Sequence, residues 1–214
     1  INFFPDNLNV QNKKIILRLD LNVPLKDKVI EDYTRIDLCL PFIKELIQKK
    51  AKIIIISHLG RPKEKKDPNL SLIPIYKYIK KTLQTNVYFF MGNFDDEVKD
   101  KFSHLKGGET ILIENIRYFK EEIEDDDNFS KKLGSLGDIY INDAFSCSHR
   151  AHTSVSKITK FLPSFAGLQL YGFKTLSKKN CPIQLIFIDN KNYVKDLLFF
   201  LRYNPAPPTT MKVT

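Results

Sequence analysis

The chain has 214 residues, 43% of them hydrophobic and 28% charged, and carries a net charge of +9. That length allows one large domain, or one domain plus a fragment, with enough apolar surface to bury a core. No apolar run reaches the roughly 18 residues of a membrane span, and the start Ile1-Asn2-Phe3-Phe4-Pro5-Asp6 lacks the basic and then apolar segments of a secretory signal, so neither is expected.

Short apolar runs alternate with helical patterns along the chain. Ile15–Leu19, Lys52–Ser57, Val87–Phe90, Ile111–Glu114 and Ile139–Asn142 are rich in β-branched and aromatic residues, the signature of strands buried on both faces. Between the first two, Ile36, Leu40, Ile43, Leu46 and Ile47 share one helical face, with Pro41 near the first turn or at a kink. Ser71 is placed to cap a helix running to Leu83, with Pro74 in its first turn. Asp95–Phe102 and Asp126–Leu136 open with acids at the positive helix end. The turns Lys106-Gly107-Gly108-Glu109 and Ser135-Leu136-Gly137-Asp138 return the chain to strands.

Alternating strands and helices predict an α/β fold: a doubly wound, Rossmann-like, mostly parallel sheet with helices on both faces. Domain boundaries are expected at 1–165 for this domain, 166–180 for a departing helix, and 181–214 for a remnant or poorly ordered tail. In that tail Ile183–Ile188 reads as a strand and Tyr193–Leu201 as a short helix.

Cys39, Cys147 and Cys181 are odd in number and have no metal-ligand spacing, which suits free thiols in the cytoplasm. The net positive charge raises the possibility of a nucleic-acid-binding protein. The lysines, however, are scattered in pairs, the acidic run Glu121–Asp127 would repel a polyanion, and no nucleic-acid motif is present, so no nucleic-acid partner is expected.

The most informative pattern lies in the polar segments at the strand ends. Asp20-Leu21-Asn22-Val23-Pro24 comes after the first strand, and Ser57-His58-Leu59-Gly60-Arg61-Pro62 after the second. Glu114-Asn115-Ile116-Arg117 comes after the fourth, and Asn142-Asp143-Ala144-Phe145 with His149-Arg150-Ala151-His152 after the fifth. Ligands of open parallel sheets bind outside the carboxyl ends of the strands. One rim would then gather Arg35, Arg61, Arg117 and Arg150 beside His58, with Asp20 and Asn22 among them. Guanidiniums with a carboxylate and an amide suit a small, highly anionic, hydroxylated ligand. Taken singly each segment has a plainer explanation: a turn, a solvated arginine, a surface salt bridge from Arg117 to Glu121 or Glu122, a helix cap. Their joint placement favours a binding site. The His149 and His152 pair lacks a third ligand, and no metal is expected.

These strings together resemble the phosphoglycerate kinase family. The resemblance is carried by Arg18-Leu19-Asp20-Leu21-Asn22-Val23-Pro24, Thr34-Arg35-Ile36 with Leu40-Pro41, and the segments 57–62, 114–117, 137–145 and 149–152, in order and spacing, over about residues 8 to 179. It implies phosphoryl transfer between 1,3-bisphosphoglycerate and ADP, giving 3-phosphoglycerate and ATP, a step of glycolysis and gluconeogenesis, in a usually monomeric enzyme. By the same resemblance, Asp20 and Asn22 would hold the glycerate hydroxyl and carboxyl end. His58, Arg61, Arg117 and Arg150 would grip the 3-phosphate, and Arg35 would stabilise the transferring phosphoryl group as the catalytic residue. Such chemistry needs positioning and cationic stabilisation more than acid–base work.

The family's nucleotide half, which takes Mg-ATP or Mg-ADP as co-substrate, has little counterpart here. Pro182–Phe187 resembles its first strand, but Ile188-Asp189-Asn190-Lys191 stands where the family has two glycines and a lysine. Lys191 aligns with that lysine. The glycines that admit phosphate to the backbone are missing, and Asp189 would repel it. The expectation is a truncated chain that binds 3-phosphoglycerate or 1,3-bisphosphoglycerate without binding nucleotide or turning over alone. The alternatives are a non-catalytic anion-binding module and a basic nucleic-acid-binding protein. Loss of a partner domain would leave an exposed apolar patch near Phe161, Phe165, Leu168 and Leu170.

Overall fold

A computed structural model of the chain describes residues 2–62, 66–94 and 96–170. The strands are β1 (Lys14–Leu19), β2 (Leu25–Lys26), β3 (Val29–Ile30), β4 (Lys52–Ile56), β5 (Val87–Phe90), β6 (Thr110–Ile113), β7 (Ile139–Asp143) and β8 (Ser164–Ala166). The helices are α1 (Thr34–Gln48), α2 (Ile73–Leu83), α3 (Asp96–Ser103), α4 (Lys120–Ile123) and α5 (Asp127–Gly134).

Six strands form one sheet in the order β5-β6-β4-β1-β7-β8, and every pairing in it is parallel. Strand periodicity divides the buried side chains between its two faces. Ile15, Leu17, Ile53, Ile55 and Ile141 pack with Ile36, Phe42, Ile43 and Leu46 of α1 and with Ile75 and Ile79 of α2. The intervening Ile16, Ile54, Ile56, Ile111, Ile113 and Tyr140 pack with Val98 and Phe102 of α3 and with Phe129 and Leu133 of α5. The sheet is therefore covered on both sides, as a doubly wound fold requires. From β1 the chain winds outward to β4, β5 and β6, then crosses back to β7 on the other side of β1. That reversal opens the rim between the loops after β1 and β7.

Local chemistry explains the helix ends. Asp126 accepts the Phe129 amide at 2.6 Å and caps α5. α2 starts two residues later than Ser71, yet Ser71 Oγ still accepts the Ile73 amide at 3.2 Å. Pro41 lies in the interior of α1, not in its first turn. Gly137 sits where a Cβ would come within 2.6 Å of Ile16, so its lack of a side chain lets the chain enter β7 against β1.

Three features differ from the sequence reading. β2 and β3 form a separate two-stranded antiparallel hairpin that the sequence did not signal. The helix expected over 166–180 does not begin at Ala166, because Ser164–Ala166 is β8, the parallel edge strand beside β7. Ala166 is also bound on its outer side, donating to Asn2 O at 2.8 Å and accepting from Phe4 N at 3.0 Å, and Phe165 meets Phe4 edge-on. These backbone partners from the distant N-terminal segment outweigh local helical preference. Residues 168–170 are helical; the remainder of that expected helix, Cys181, Lys191 and the strand and helix expected in the tail lie outside the described residues. Of the four apolar residues expected to form an exposed patch, Phe161 is exposed, while Phe165 and Leu168 are partly buried against the core. One compact unit covers Ile1–Phe173.

Candidate functional site

Arg18 lies in the central strand β1 with its side chain wholly buried. Its guanidinium donates to Ser154 Oγ at 3.0 Å, to Leu19 O at 2.5 Å and to His58 Nδ1 at 3.0 Å. Burying a charge demands such full satisfaction of its donors. His58 leaves the end of β4, and Ser57 just before it ties the two strands together, its hydroxyl donating to Leu19 O at 2.9 Å and accepting from Leu21 N at 3.0 Å.

Arg117 is reached through the turn after β6. Asn115 accepts the Arg117 amide at 3.1 Å and donates to Leu59 O and Leu70 O, anchoring this turn to the β4 loop. The Arg117 side chain donates to Gly60 O at 2.6 Å, while its Nε and Nη2 are buried without a hydrogen-bond partner among the described residues. Burial and the nearby Arg150 and Arg18 guanidiniums lower its pKa to about 10. This differs from a surface salt bridge to Glu121 or Glu122.

His152 Nδ1 is likewise buried without a hydrogen-bond partner among the described residues. Burial, Arg117, Arg150 and Arg18 press the His152 pKa down to about 4. Burial, Arg18, Arg117, Arg150 and His152 press His58 down to about 2. Strand β1 and the loops after β4, β6 and β7 thus gather three mutually repelling guanidiniums, Arg18, Arg117 and Arg150, around His58 and His152, whose lowered pKa values leave them neutral near pH 7. The arrangement is electrostatically unfavourable by itself and complementary to a multiply charged anion.

Asp20 and Arg35 form a second group on the same rim. Arg35, in the first turn of α1, pairs with Asp20 at 2.5 Å. Ser146, in the loop after β7, donates to the same carboxylate oxygen. Asn22 Oδ1 accepts the Gly60 amide at 2.8 Å, so part of its amide is spent on holding the β4 loop. Arg61 is exposed, and among the described residues no hydrogen bond or ion pair ties it to the cluster. Of the expected site residues, the structure joins His58, Arg117 and Arg150, pairs Asp20 with Arg35, and uses Asn22 in loop geometry. Arg61 stands at the margin.

Arg18, Ser154 and Glu122 were absent from the expected site. Arg18 had a readable signal, a cation inside the strand Ile15-Ile16-Leu17-Arg18-Leu19 that is otherwise apolar. Glu122 had none. It belongs to an acidic run that reads as solvated, yet it is fully buried while its neighbour Ile123 is half exposed. Both Glu122 oxygens accept from Ser154, from Oγ at 2.6 Å and from N at 2.8 Å, and burial raises its pKa to about 7.

A cavity of about 860 Å³ opens elsewhere, at the ends of β5 and β6, lined in part by Phe94, Phe119, Phe129, Tyr118 and Lys77. Its volume alone would make it the candidate site, but none of its lining residues is an arginine or histidine. The chemistry converges on the cationic cluster instead. Among the described residues, no group of three or more His, Cys, Asp or Glu could hold a metal ion, and no helix is long and apolar enough to cross a membrane.

Comparison with known proteins gives a consistent picture. The family profile of phosphoglycerate kinase matches residues 5–178. A phosphoglycerate kinase of Wolbachia pipientis wMel is 49% identical over 186 residues, 85% of this chain and 46% of the relative. One from Coprothermobacter proteolyticus is 46% identical over 160 residues, 74% of this chain and 40% of the relative. Among solved structures, phosphoglycerate kinase from Coxiella burnetii superposes with a TM-score of 0.74 at 33% identity, covering 82% of this chain and 44% of that one. The enzyme from Pyrococcus horikoshii OT3 gives 0.74 at 30% identity, covering 84% and 47%. The chain spans less than half the length of these relatives. Its matched residues, parallel sheet and rim motifs make it a member of the phosphoglycerate kinase family.

Proposed function

We propose that the described domain is the phosphoglycerate-binding half of a phosphoglycerate kinase, taking 3-phosphoglycerate or 1,3-bisphosphoglycerate at the arginine rim. The observation that carries this reading is Arg117, a buried guanidinium set among Arg18, Arg150, His58 and His152, two of whose nitrogens have no hydrogen-bond partner among the described residues. A phosphate dianion at this position would accept from Arg117 and Arg150 and offset their repulsion. Arg61, exposed at the margin, would close over the phosphate. Asp20 and the remaining amide of Asn22 would hold the glycerate hydroxyl and carboxyl end, as family membership implies. Arg35, held by Asp20 at 2.5 Å, would stabilise charge on the phosphoryl group in transfer.

Phosphoryl transfer also needs a site for the phosphates of Mg-ADP or Mg-ATP. Ile188-Asp189-Asn190-Lys191 carries an acid where the family carries glycine, so the 214 residues alone are proposed to bind substrate without measurable turnover. Two buried free thiols, Cys39 and Cys147, fit a reducing cytoplasm.

Calorimetric titration with 3-phosphoglycerate tests the reading directly. Saturable binding, weakened by Arg61→Ala and abolished by Arg117→Ala, is expected. Absence of binding to the folded chain would overturn it. A coupled assay for ATP formation from 1,3-bisphosphoglycerate and ADP checks turnover, and any signal proportional to enzyme would refute the inactivity of these 214 residues.

A further inference from the structure

The buried side of the cationic cluster contains a hydrogen-bonded chain whose direction is fixed by chemistry. A guanidinium has donors and no acceptor. Arg18 Nη2 lies 3.0 Å from His58 Nδ1, so Nδ1 must be the accepting nitrogen. The single proton of the neutral ring then sits on Nε2. An imidazolium would turn an N–H toward the guanidinium and add a like charge beside Arg18, Arg117, Arg150 and His152, the groups that face His58.

The same logic runs the other way from Arg18. Arg18 Nε donates to Ser154 Oγ at 3.0 Å, so that hydroxyl must send its own proton elsewhere. It goes to Glu122 Oε1 at 2.6 Å, while the Ser154 amide takes Oε2 at 2.8 Å. Both carboxylate oxygens are acceptors, the arrangement Glu122 takes above its raised pKa of about 7. The charged or titratable groups facing Glu122 are Arg18, Arg117 and His152, whose Nδ1 is 4.0 Å from Oε1. Glu122, Ser154 and Arg18 are all fully buried, so water cannot substitute for any link.

We propose that Glu122 and Ser154, acting through Arg18, are positioning residues that lock His58 as a neutral Nε2–H donor for the bound anion. His58 then contributes one aimed hydrogen bond and no charge, while the arginines supply the charge. The downward pressure on its pKa agrees with this division of labour. The ligand in this statement rests on the proposed function; the tautomer is a property of the ligand-free protein.

The test is a long-range 1H–15N correlation spectrum of the 15N-labelled, ligand-free chain at pH 8, where Glu122 is ionised, with His58 assigned by loss of its signals in His58→Gln. A protonated Nε2 and an unprotonated Nδ1 are expected. A proton on Nδ1, or an imidazolium, would overturn the inference in the wild-type chain, whatever the variants do. Ser154→Ala and Glu122→Gln, measured at pH 8, are expected to give mixed His58 tautomers and to weaken 3-phosphoglycerate binding roughly five- to tenfold, the scale of one lost hydrogen bond. Unchanged tautomer and affinity in both folded variants would reduce the chain to packing and sink the positioning role. Locked His58 in a wild-type chain that binds no 3-phosphoglycerate would overturn the functional proposal and leave the tautomer standing.

Discussion

At the scale of single residues, the site is built from charges placed where they cost stability. Arg117 is 7% exposed, and its neighbours Arg150 and Arg18 are also cationic. Removing one member of a repelling buried group relieves it, whereas removing a group that grips the ligand loses affinity. Arg117→Met is therefore expected to weaken 3-phosphoglycerate binding by tenfold or more. The stability of the ligand-free protein should hold or rise, by up to about 1 kcal/mol. Thermal melts beside calorimetry check this, and a clear loss of ligand-free stability would show that Arg117 chiefly braces the Gly60 loop. Arg18 is different in kind, because its donors are matched to Ser154, Leu19 and His58. Truncating it would leave buried acceptors and Glu122 uncompensated.

At the scale of elements, the loop after β4 is the keystone of the rim. Gly60 has φ +59, a backbone region that side chains disfavour, and a Cβ there would lie 2.7 Å from Leu70. Its amide donates to Asn22 and its carbonyl accepts from Arg117. Gly60→Ala should thus cost about 1 kcal/mol from backbone strain. It should also weaken anion binding severalfold by shifting Arg117, readable as paired changes in melting temperature and 3-phosphoglycerate affinity. Unaltered affinity with reduced stability would disconnect this loop from the site. The neighbouring turn after β6 is braced similarly, with Glu114 accepting from Ser71 Oγ at 2.6 Å and from Leu72 N at 2.7 Å, so the start of α2 and the Arg117 turn move together.

At the scale of the whole molecule, three buried titrating groups and the partly buried His152 set a pH profile. Burial raises Glu122 from 4.5 to about 7 and Asp143 from 3.8 to about 7. Each therefore holds its proton more tightly when folded, and its contribution is lost as pH rises toward 7. Burial and the arginines lower His58 from 6.5 to about 2 and His152 from 6.5 to about 4. Those contributions are complete above 6.5 and fade as pH falls. The opposed slopes roughly cancel between about pH 4.5 and 6.5, and the carboxyls alone act from there to slightly above 7. Melting temperature is expected to be nearly flat in the first window and to fall through the second. In Glu122→Gln the fall should be smaller and the lower window should slope upward with pH. A wild-type melting temperature that rises steadily from pH 6.5 to 8 would contradict this assignment.

The strands were legible because β-branched runs such as Ile53-Ile54-Ile55-Ile56 have few other outcomes. Their order along the chain, alternating with helices, was enough to predict a parallel sheet and a ligand rim at its carboxyl edge. Strand ends also pointed to the loops that carry His58, Arg117 and Arg150, since the chain leaving a buried strand must emerge at that edge. Other features depended on contacts distant in sequence. Ser164–Ala166 became a strand because β7 and the N-terminal segment supplied its hydrogen bonds. Glu122 went inside because Ser154, 32 positions away, met both its oxygens. Arg61 remained at the margin while Arg18, hidden in the central strand, joined the cluster. Hydrophobic period and turn chemistry are local and can be read in sequence order. The burial of a charge is not local: it requires partners that come together only when the sheet closes.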